Sequence, residues 1–353
     1  MTGTGADVTG IHLTRTTENA EEIDALAAVL GGRVGLRGVI TDLDRQARPS
    51  RLGRLLGRAV DTAYAWQRDD QRDPRWWPQG ISSSAEAGGV DDAVHGRRVL
   101  VTTWYAKDLG EGSHGCRVTF LDLDTLRYRH VLLVTPTLTA GGPGLDPLRI
   151  HAGGVVWRGP WLHVAATRRG FVTFHLDDVL RAGGDALAAF GHTYVLPARA
   201  AYRARTAEGH RPLRFSFLSL DRDTSPPCLL AGEYAAGTGE ATRLARFGLA
   251  ADDWPLLVGE DGRSRPVVLE DGGVLRMQGA ATARGRLHVT SSHGPWRPGT
   301  VHTGHPGALR PHRFAVPMGP EDLTYWPATD RLWTLTEHPG RRWVVSMRRD
   351  WFD

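Results

Sequence analysis

The chain has 353 residues, with 43 glycines, 21 prolines and a formal net charge of +4. Its basic residues are scattered among acidic ones rather than clustered, which argues against a nucleic-acid partner, and no apolar stretch approaches the roughly 20 residues that span a bilayer. Cys116 and Cys228 lack a CxxC partner, so neither a zinc cage nor a disulfide framework is indicated. The first residues carry neither a basic nor an apolar signal region, and we expect a cytoplasmic protein.

Residues 1–75 differ from the rest of the chain and predict a helical N-terminal extension. Asn19, followed three residues later by Glu22, predicts the start of a short helix that ends at Gly31-Gly32. Residues 35–44 predict a short strand. A second helix is predicted over residues 50–66, where leucine and alanine recur at i, i+3, i+4 and i+7.

Residues 76–353 consist of short β-branched and aromatic runs separated by turn residues. A frame recurs in this region: a polar residue followed by small residues and a first strand, a turn, a second strand with a polar end, and a third strand. The clearest copy begins at His151. Other copies begin at Gln79, Gln278 and Glu321, and a less regular copy covers residues 214–249.

This repeat predicts an all-β fold, a five-bladed β-propeller over residues 76–353, because small antiparallel sheets can bury their faces only against their neighbours. Six blades or a pair of β-sandwiches are the alternatives. The last copy reaches residue 353 without a fourth strand. We therefore expect residues 35–44 to supply that strand and to close the ring.

The copies open on Gln79-Gly80, His151-Ala152-Gly153 and Pro320-Glu321-Asp322-Leu323. These openings resemble those of β-propellers in general and, more loosely, those of small-molecule propeller enzymes of the lactonase and strictosidine synthase-like group. The resemblance covers residues 76–353 and implies the fold. That group's complete metal-ligand set is missing here, and no functional residue is carried over from it.

Propeller geometry predicts where the polar residues of the frame meet. The innermost strand of a blade starts at one face of the ring, and the antiparallel second strand ends at that same face. First-strand starts and second-strand ends should therefore converge at one mouth of the central channel. The frame places Thr167, Arg214 or Ser216, Tyr234 and Ser291 there. The thirteen residues predicted to function at this mouth are Gln79, Trp104, Tyr105, Lys107, His151, Arg168, Glu233, Gln278, Ser292, His293, Glu321, Glu337 and His338.

Five of these residues are predicted to be catalytic, namely Lys107, His151, His293, Glu321 and Glu337, and the other eight to bind substrate. Lys107 is the one lysine of the chain. Burial beside aromatic side chains would suit it as a base, a Schiff-base amine or an anion anchor. The alternative for Lys107 is an ordinary exposed lysine. For Gln79 and Gln278, the alternative is a structural hydrogen bond to the backbone.

We expect an enzyme that acts on a small organic molecule by acid–base chemistry, that is hydrolysis, elimination or cyclisation. A role in bacterial secondary metabolism would suit such an enzyme. The alternative is a non-catalytic propeller that binds a sugar, a peptide or a protein. No cofactor is predicted. A divalent cation at Glu321-Asp322 is a further hypothesis, although two adjacent carboxylates make a poor cage and three scattered histidines are weak zinc ligands. The predicted partner is a small-molecule substrate, with no nucleic acid and no membrane.

Overall fold

The structure, a computed structural model, describes residue 8 and residues 10–88, 90–182, 189–250 and 256–353. The N-terminal residues on which the signal-peptide expectation rests lie outside this part, apart from residue 8. Within the described ranges, no helix has the length and apolar character needed to cross a membrane. The α-helices are Ala20–Val29, Gly35–Ile40, Arg51–Leu55, Arg68–Arg72 and Ser84–Ala87, and the short 3-10 helices are Val90–Asp92, Leu176–Asp178, Pro327–Thr329 and Arg349–Phe352.

The strands of the described residues form five sheets, here called sheets I to V. From the inside outward, sheet I contains Trp76–Ser83, Val99–Ala106, Cys116–Asp122, Arg127–Thr139, Tyr194–Pro197 and Leu180–Arg181, with Arg45–Gln46 and Gly142–Pro147 also paired to Arg127–Thr139. Sheet II contains Val155–Arg158, Trp161–Ala165, Gly170–His175, Ala200–Thr206 and Ile11–Arg15.

Sheets III and IV each have four antiparallel strands, and sheet V has five. Sheet III contains Phe217–Asp221, Cys228–Gly232, Arg243–Gly248 and Pro266–Asp271. Sheet IV contains Met277–Ala283, Arg286–Ser291, Pro298–Gly304 and Arg310–Met318. Sheet V contains Pro320–Trp326, Arg331–Thr336, Trp343–Arg348, Val60–Ala65 and Arg48–Pro49.

The innermost strands contact one another in ring order, from sheet I through sheet V and back to sheet I. This arrangement confirms the predicted all-β propeller class. The six-bladed alternative has no counterpart among the sheets of the described residues, and the sandwich alternative is wrong because the inner strands surround one channel. The apolar core lies between adjacent sheets, for example where Val101, Phe120 and Trp157 of sheets I and II pack together.

The small residues of the repeated frame let these inner strands approach closely. A Cβ atom on Gly154 would lie 2.2 Å from the backbone nitrogen of Leu218 in sheet III, and one on Gly279 would lie 2.3 Å from the Cα atom of Asp322 in sheet V. Real Cβ atoms essentially never come this near to backbone atoms. Glycine is therefore required where the sheets meet around the channel.

The N-terminal part of the chain completes two of the sheets. Val60–Ala65 pairs antiparallel with Trp343–Arg348 and adds the missing strand to sheet V. Ile11–Arg15 pairs with Ala200–Thr206 as the outermost strand of sheet II, which the sequence did not predict. The expected closure of the last sheet by an N-terminal strand is observed, but residues 35–44 do not supply it, because Gly35–Ile40 is a helix.

Two N-terminal helices were predicted, with different outcomes. The first is confirmed as Ala20–Val29 and begins after Asn19. The prediction of a continuous helix over residues 50–66 is wrong. Ser50 caps a helix, since its side chain accepts a hydrogen bond from the Gly53 nitrogen at 3.1 Å, but this helix ends at Leu55 and a strand begins at Val60.

Candidate functional site

A cavity of about 340 Å³ lies at one mouth of the central channel. It is lined by Gln79, His151, Gly153, Thr167, Arg168, Arg214, Ser216, Tyr234, Gln278, Glu321 and Glu337. Six of the thirteen residues predicted to function at this mouth are among them: Gln79, His151, Arg168, Gln278, Glu321 and Glu337. The frame also placed Thr167, Arg214 or Ser216, and Tyr234 at this mouth, and these residues line the cavity as well. The roles predicted for these residues stay predictions.

Every sheet contributes to this cavity from its innermost strand or from the residues just before that strand. Gln79 comes from sheet I, Gln278 from sheet IV and Glu321 from sheet V, whereas His151 and Ser216 precede the first strands of sheets II and III. The ends of second strands add Thr167, Tyr234 and Glu337. The antiparallel order of each sheet thus brings residues that are far apart in the sequence to one place.

Glu321 and Glu337 are the two carboxyl groups of the cavity. Burial raises the pKa of Glu321 well above its usual value, and the negative charges of Glu337 and Asp322 raise it further. Burial also raises the pKa of Glu337, against the opposing effects of its hydrogen bond from Gln79 and of the positive charges of Lys107 and Arg342. Ionisation of both groups at once is therefore disfavoured, and the positive charges of Lys107 and Arg342 favour the ionised form at Glu337 rather than at Glu321.

An amide side chain orients each of these carboxyl groups. Gln278 donates a hydrogen bond from Nε2 to Oε1 of Glu321 at 3.2 Å, and Gln79 donates from Nε2 to Oε2 of Glu337 at 3.1 Å. Gln79 also donates to the carbonyl oxygen of Pro78 at 2.9 Å. Both glutamines line the cavity and also hold its carboxyl groups in position.

Lys107 lies beside the cavity, against Trp77 rather than against Trp104. Its Nζ atom is 3.0 Å from the centroid of the Trp77 ring, a cation–π contact. Burial lowers the pKa of Lys107, while the charge of Glu337 acts in the opposite direction. The ammonium group therefore belongs to the electrostatic surroundings of Glu337, although Lys107 does not line the cavity.

His151 and Tyr105 form an aromatic contact at the edge of the cavity, with ring centroids 4.6 Å apart. The His151 residue is open to solvent, yet protein atoms surround the ring closely enough that burial lowers its pKa, with a further contribution from the charge of Lys107. The imidazole is therefore neutral at pH 7. Burial and the charges of Glu337 and Glu321 raise the pKa of Tyr105, so its hydroxyl stays protonated.

Other predicted site residues have structural partners outside the cavity. Trp104 is fully buried in the core, where its Nε1 atom donates to Thr102 Oγ1 at 3.0 Å. Glu233 is buried and accepts from Nε and Nη2 of Arg243, each at 2.8 Å. Neither residue lines the cavity. The frame predicted their positions along the chain, but it did not predict the direction in which their side chains point.

The remaining three predicted residues also lie off the cavity. Ser292 is buried, and His293 Nε2 is 2.9 Å from Thr300 Oγ1 of the neighbouring strand. His338 is closer to the site, with its Nδ1 atom 3.7 Å from Oε1 of Glu337. Burial, together with the charges of Arg341 and Lys107, lowers the pKa of His338 to about 4, so this ring is neutral at pH 7.

Arg342 is a functional neighbour that the sequence reasoning missed. It is fully buried, donates from Nε to the Glu337 carbonyl oxygen at 2.8 Å and from Nη1 to the Asp70 carbonyl oxygen at 2.7 Å. Its positive charge lowers the pKa of Glu337. Third strands start at the face where second strands end, so extending the frame by one strand would have found Arg342.

The described residues offer no cage of side chains for the cation that was predicted at Glu321-Asp322. Among the described residues, no group of three or more His, Cys, Asp or Glu side chains is arranged to hold a metal ion. Asp322 is occupied by backbone donors: its carboxylate accepts from the nitrogens of Ile81 at 3.1 Å, Leu323 at 2.9 Å and Val155 at 3.4 Å. This carboxylate joins the inner strands of sheets I, II and V and is not paired with Glu321 as a ligand set.

No protein-family model matches the chain, and no curated protein matches it in sequence. Among solved structures, a gluconolactonase from Xanthomonas campestris is similar at 14% identity and a TM-score of 0.36, covering 87% of this chain and 84% of its own. The β-propeller domain of Swd1 from Myceliophteria thermophila is similar at 11% identity and a TM-score of 0.35, covering 71% of this chain and 93% of its own. Likenesses at these scores carry no information about the chemistry of this chain.

Proposed function

We propose that the protein is an enzyme that acts on a small organic molecule in the channel-mouth cavity by general acid–base catalysis. The observation that carries this proposal is the pair of carboxyl groups, Glu321 and Glu337, in one cavity where burial raises the pKa of both. Groups with such perturbed pKa values in a concave site are typical of catalytic acids and bases.

The two carboxyl groups divide the proton transfers between them. In a hydrolysis, the ionised Glu337 takes a proton from water, whose oxygen attacks the carbonyl carbon, and Glu321 gives its proton to the leaving oxygen. In an elimination, Glu337 takes the proton from carbon and Glu321 protonates the departing hydroxyl group. Either reaction ends with the proton on Glu337, and its return to Glu321 through solvent restores the starting state.

The test is turnover of small esters, lactones and β-hydroxy acids, followed by substitution of the two carboxyl groups. We expect Glu321→Gln and Glu337→Gln each to lower kcat by about 10²–10⁴-fold, the usual contribution of a general acid or base. Glu260→Gln changes an exposed carboxylate outside the cavity and serves as the matched control. Full activity in both cavity variants would refute the acid–base assignment.

Non-catalytic binding of a small molecule is the competing function. It predicts a ligand that binds the cavity and is recovered chemically unchanged. Mass spectrometry of the ligand after prolonged incubation distinguishes the two functions, because an enzyme converts it and a binding protein does not.

A further inference from the structure

A second cavity, of about 690 Å³, adjoins the channel mouth between sheets I and II. Arg168 lines both cavities, so the two meet at this side chain. We propose that this second cavity, here called the arginine groove, binds the anionic group of an elongated organic ligand. The link to the first cavity rests on the proposed function, whereas anion binding in the groove stands on its own observations.

The groove is lined by four arginines and by no acidic residue. Arg168 and Arg169 come from the turn between the second and third strands of sheet II, and Arg203 and Arg205 from its fourth strand. Antiparallel pairing fixes these positions, since Gly170 lies opposite Arg203 in the register. The fold therefore gathers four positive charges around one concavity.

Among the residues that the structure describes, no carboxylate pairs with these four arginines. Within the described ranges, none of the four arginine side chains forms an ion pair or a side-chain hydrogen bond. Glu18 lies near the groove in sequence, but its carboxylate accepts from Arg15 at 2.7 Å and from Arg199 at 3.0 Å. Elsewhere many guanidinium groups pair with Asp or Glu, as Arg243 does with Glu233, whereas the four arginines around this concavity remain available to an anion.

The remaining lining suits an organic body attached to the anion. Leu148, Ile150, Phe171 and Val172 supply apolar surface, and Thr17 and Thr135 add hydroxyl groups. A guanidinium group binds phosphate or carboxylate oxygens through parallel hydrogen bonds. The volume lies within the range of about 300–1,000 Å³ that is usual for small-molecule sites. The ligand class is therefore an organic phosphate or carboxylate with an apolar portion.

Arg168 connects this inference to catalysis. A ligand whose anionic group lies among Arg169, Arg203 and Arg205 can extend past Arg168 toward the carboxyl groups of the first cavity. Binding energy from the anion would then position the reacting part of the molecule. The proposed substrate is accordingly an elongated molecule with one charged end, and its reactive bond lies at the other end.

The experiment is calorimetric titration of the purified protein with 1-naphthyl phosphate, 1-naphthoate and neutral 1-naphthol. We expect at least one of the two anions to bind and naphthol to bind far more weakly. The affinity for the anion should fall as the sodium chloride concentration rises from about 50 to about 300 mM. The stronger of the two anions identifies phosphate or carboxylate as the preferred group. Naphthol binding as tightly as the anions, or an affinity independent of salt, would overturn the inference.

Arginine variants locate the binding. The double variant Arg203→Gln with Arg205→Gln should bind the anion with an affinity lower by about tenfold or more. This is the loss expected when charge-assisted hydrogen bonds are removed. The matched control is Arg310→Gln with Arg313→Gln, two exposed arginines on the outermost strand of sheet IV. Circular dichroism checks that both double variants are folded. Equal affinity for the anion in the two double variants would refute anion binding in the arginine groove.

The two proposals can fail separately. Turnover that depends on Glu321 and Glu337, together with unchanged anion affinity in the groove variant, refutes the arginine groove and leaves the acid–base function intact. Salt-dependent anion binding that the groove variant loses, without turnover of any substrate, supports the groove and refutes the enzyme assignment.

Discussion

Lys107 shows how one charge could set the working pH range of the proposed acid–base pair, Glu321 and Glu337. Its ammonium group lies over Trp77, and its charge lowers the pKa of Glu337. The proposed base must be ionised, so activity should fall at low pH as Glu337 takes up a proton. The proposed acid must be protonated, so activity should fall at high pH as Glu321 loses its proton. The pH–rate profile should therefore be bell-shaped.

Lys107→Met tests this electrostatic role. Removing the positive charge raises the pKa of Glu337, so the acidic limb of the pH–rate profile should move to higher pH, while the alkaline limb, set mainly by Glu321, should move less. Lys107→Arg keeps the charge and should leave the acidic limb near its wild-type position. Complete loss of activity at every pH in both variants would instead favour direct chemistry by the amine.

The strand Val60–Ala65, which closes sheet V and is here called the closing strand, shows how much of an element could be predicted from sequence. Residues 50–66 carry helical spacing of leucine and alanine, yet only Arg51–Leu55 is helical. Gly57 interrupts the pattern, and a Cβ atom there would lie 2.8 Å from the Ala315 carbonyl oxygen of sheet IV. Val60–Ala65 is a strand because sheet V offers it an unpaired edge, a tertiary contact that local periodicity does not contain.

The candidate site was predictable to the extent that strand order determines it. First-strand starts such as Gln79, Gln278 and Glu321 follow from the repeated frame and lie in the cavity. The positions of Trp104 and Glu233 did not follow, because a shift of one residue along a strand turns a side chain to the opposite face of the sheet. Arg214 and Tyr234 also line the cavity, where the irregular copy of the frame places a first-strand start and a second-strand end.

A proline in the closing strand should show that the propeller depends on this pairing. Ala63 is buried and lies opposite Val345. Ala63→Pro should lower the free energy of unfolding by about 3 kcal/mol or more, since proline disrupts pairing within a sheet. Leu55→Ala changes a largely exposed side chain of the preceding helix and should have little effect. Urea unfolding followed by tryptophan fluorescence measures both variants.

At the scale of the whole molecule, the ring depends on close contacts between inner strands. We expect Gly279→Ala to destabilise the protein by about 1–3 kcal/mol, the usual cost of overpacking, because its new methyl group would meet the backbone of Asp322. Gly237→Ala is the control, since a Cβ atom there meets no other atom within 4 Å. Thermal unfolding compares the stability of the two variants. Equal melting temperatures would show that the inner strands can move apart without loss of stability.

The same ring imposes an order on synthesis at the ribosome. Sheet V joins Val60–Ala65 to Trp343–Arg348, so Thr62 and Ser346, which share a hydrogen bond, are separated by 284 positions. While residues beyond 300 are still being translated, Val60–Ala65 can pair only with the short strand Arg48–Pro49, and the backbone donors and acceptors of its other edge remain available to other chains. A nascent chain must keep this strand from aggregating until its partner emerges, and long-range pairing of this kind is slow. Assembly of the propeller is therefore completed only after Trp343–Arg348 has left the ribosome.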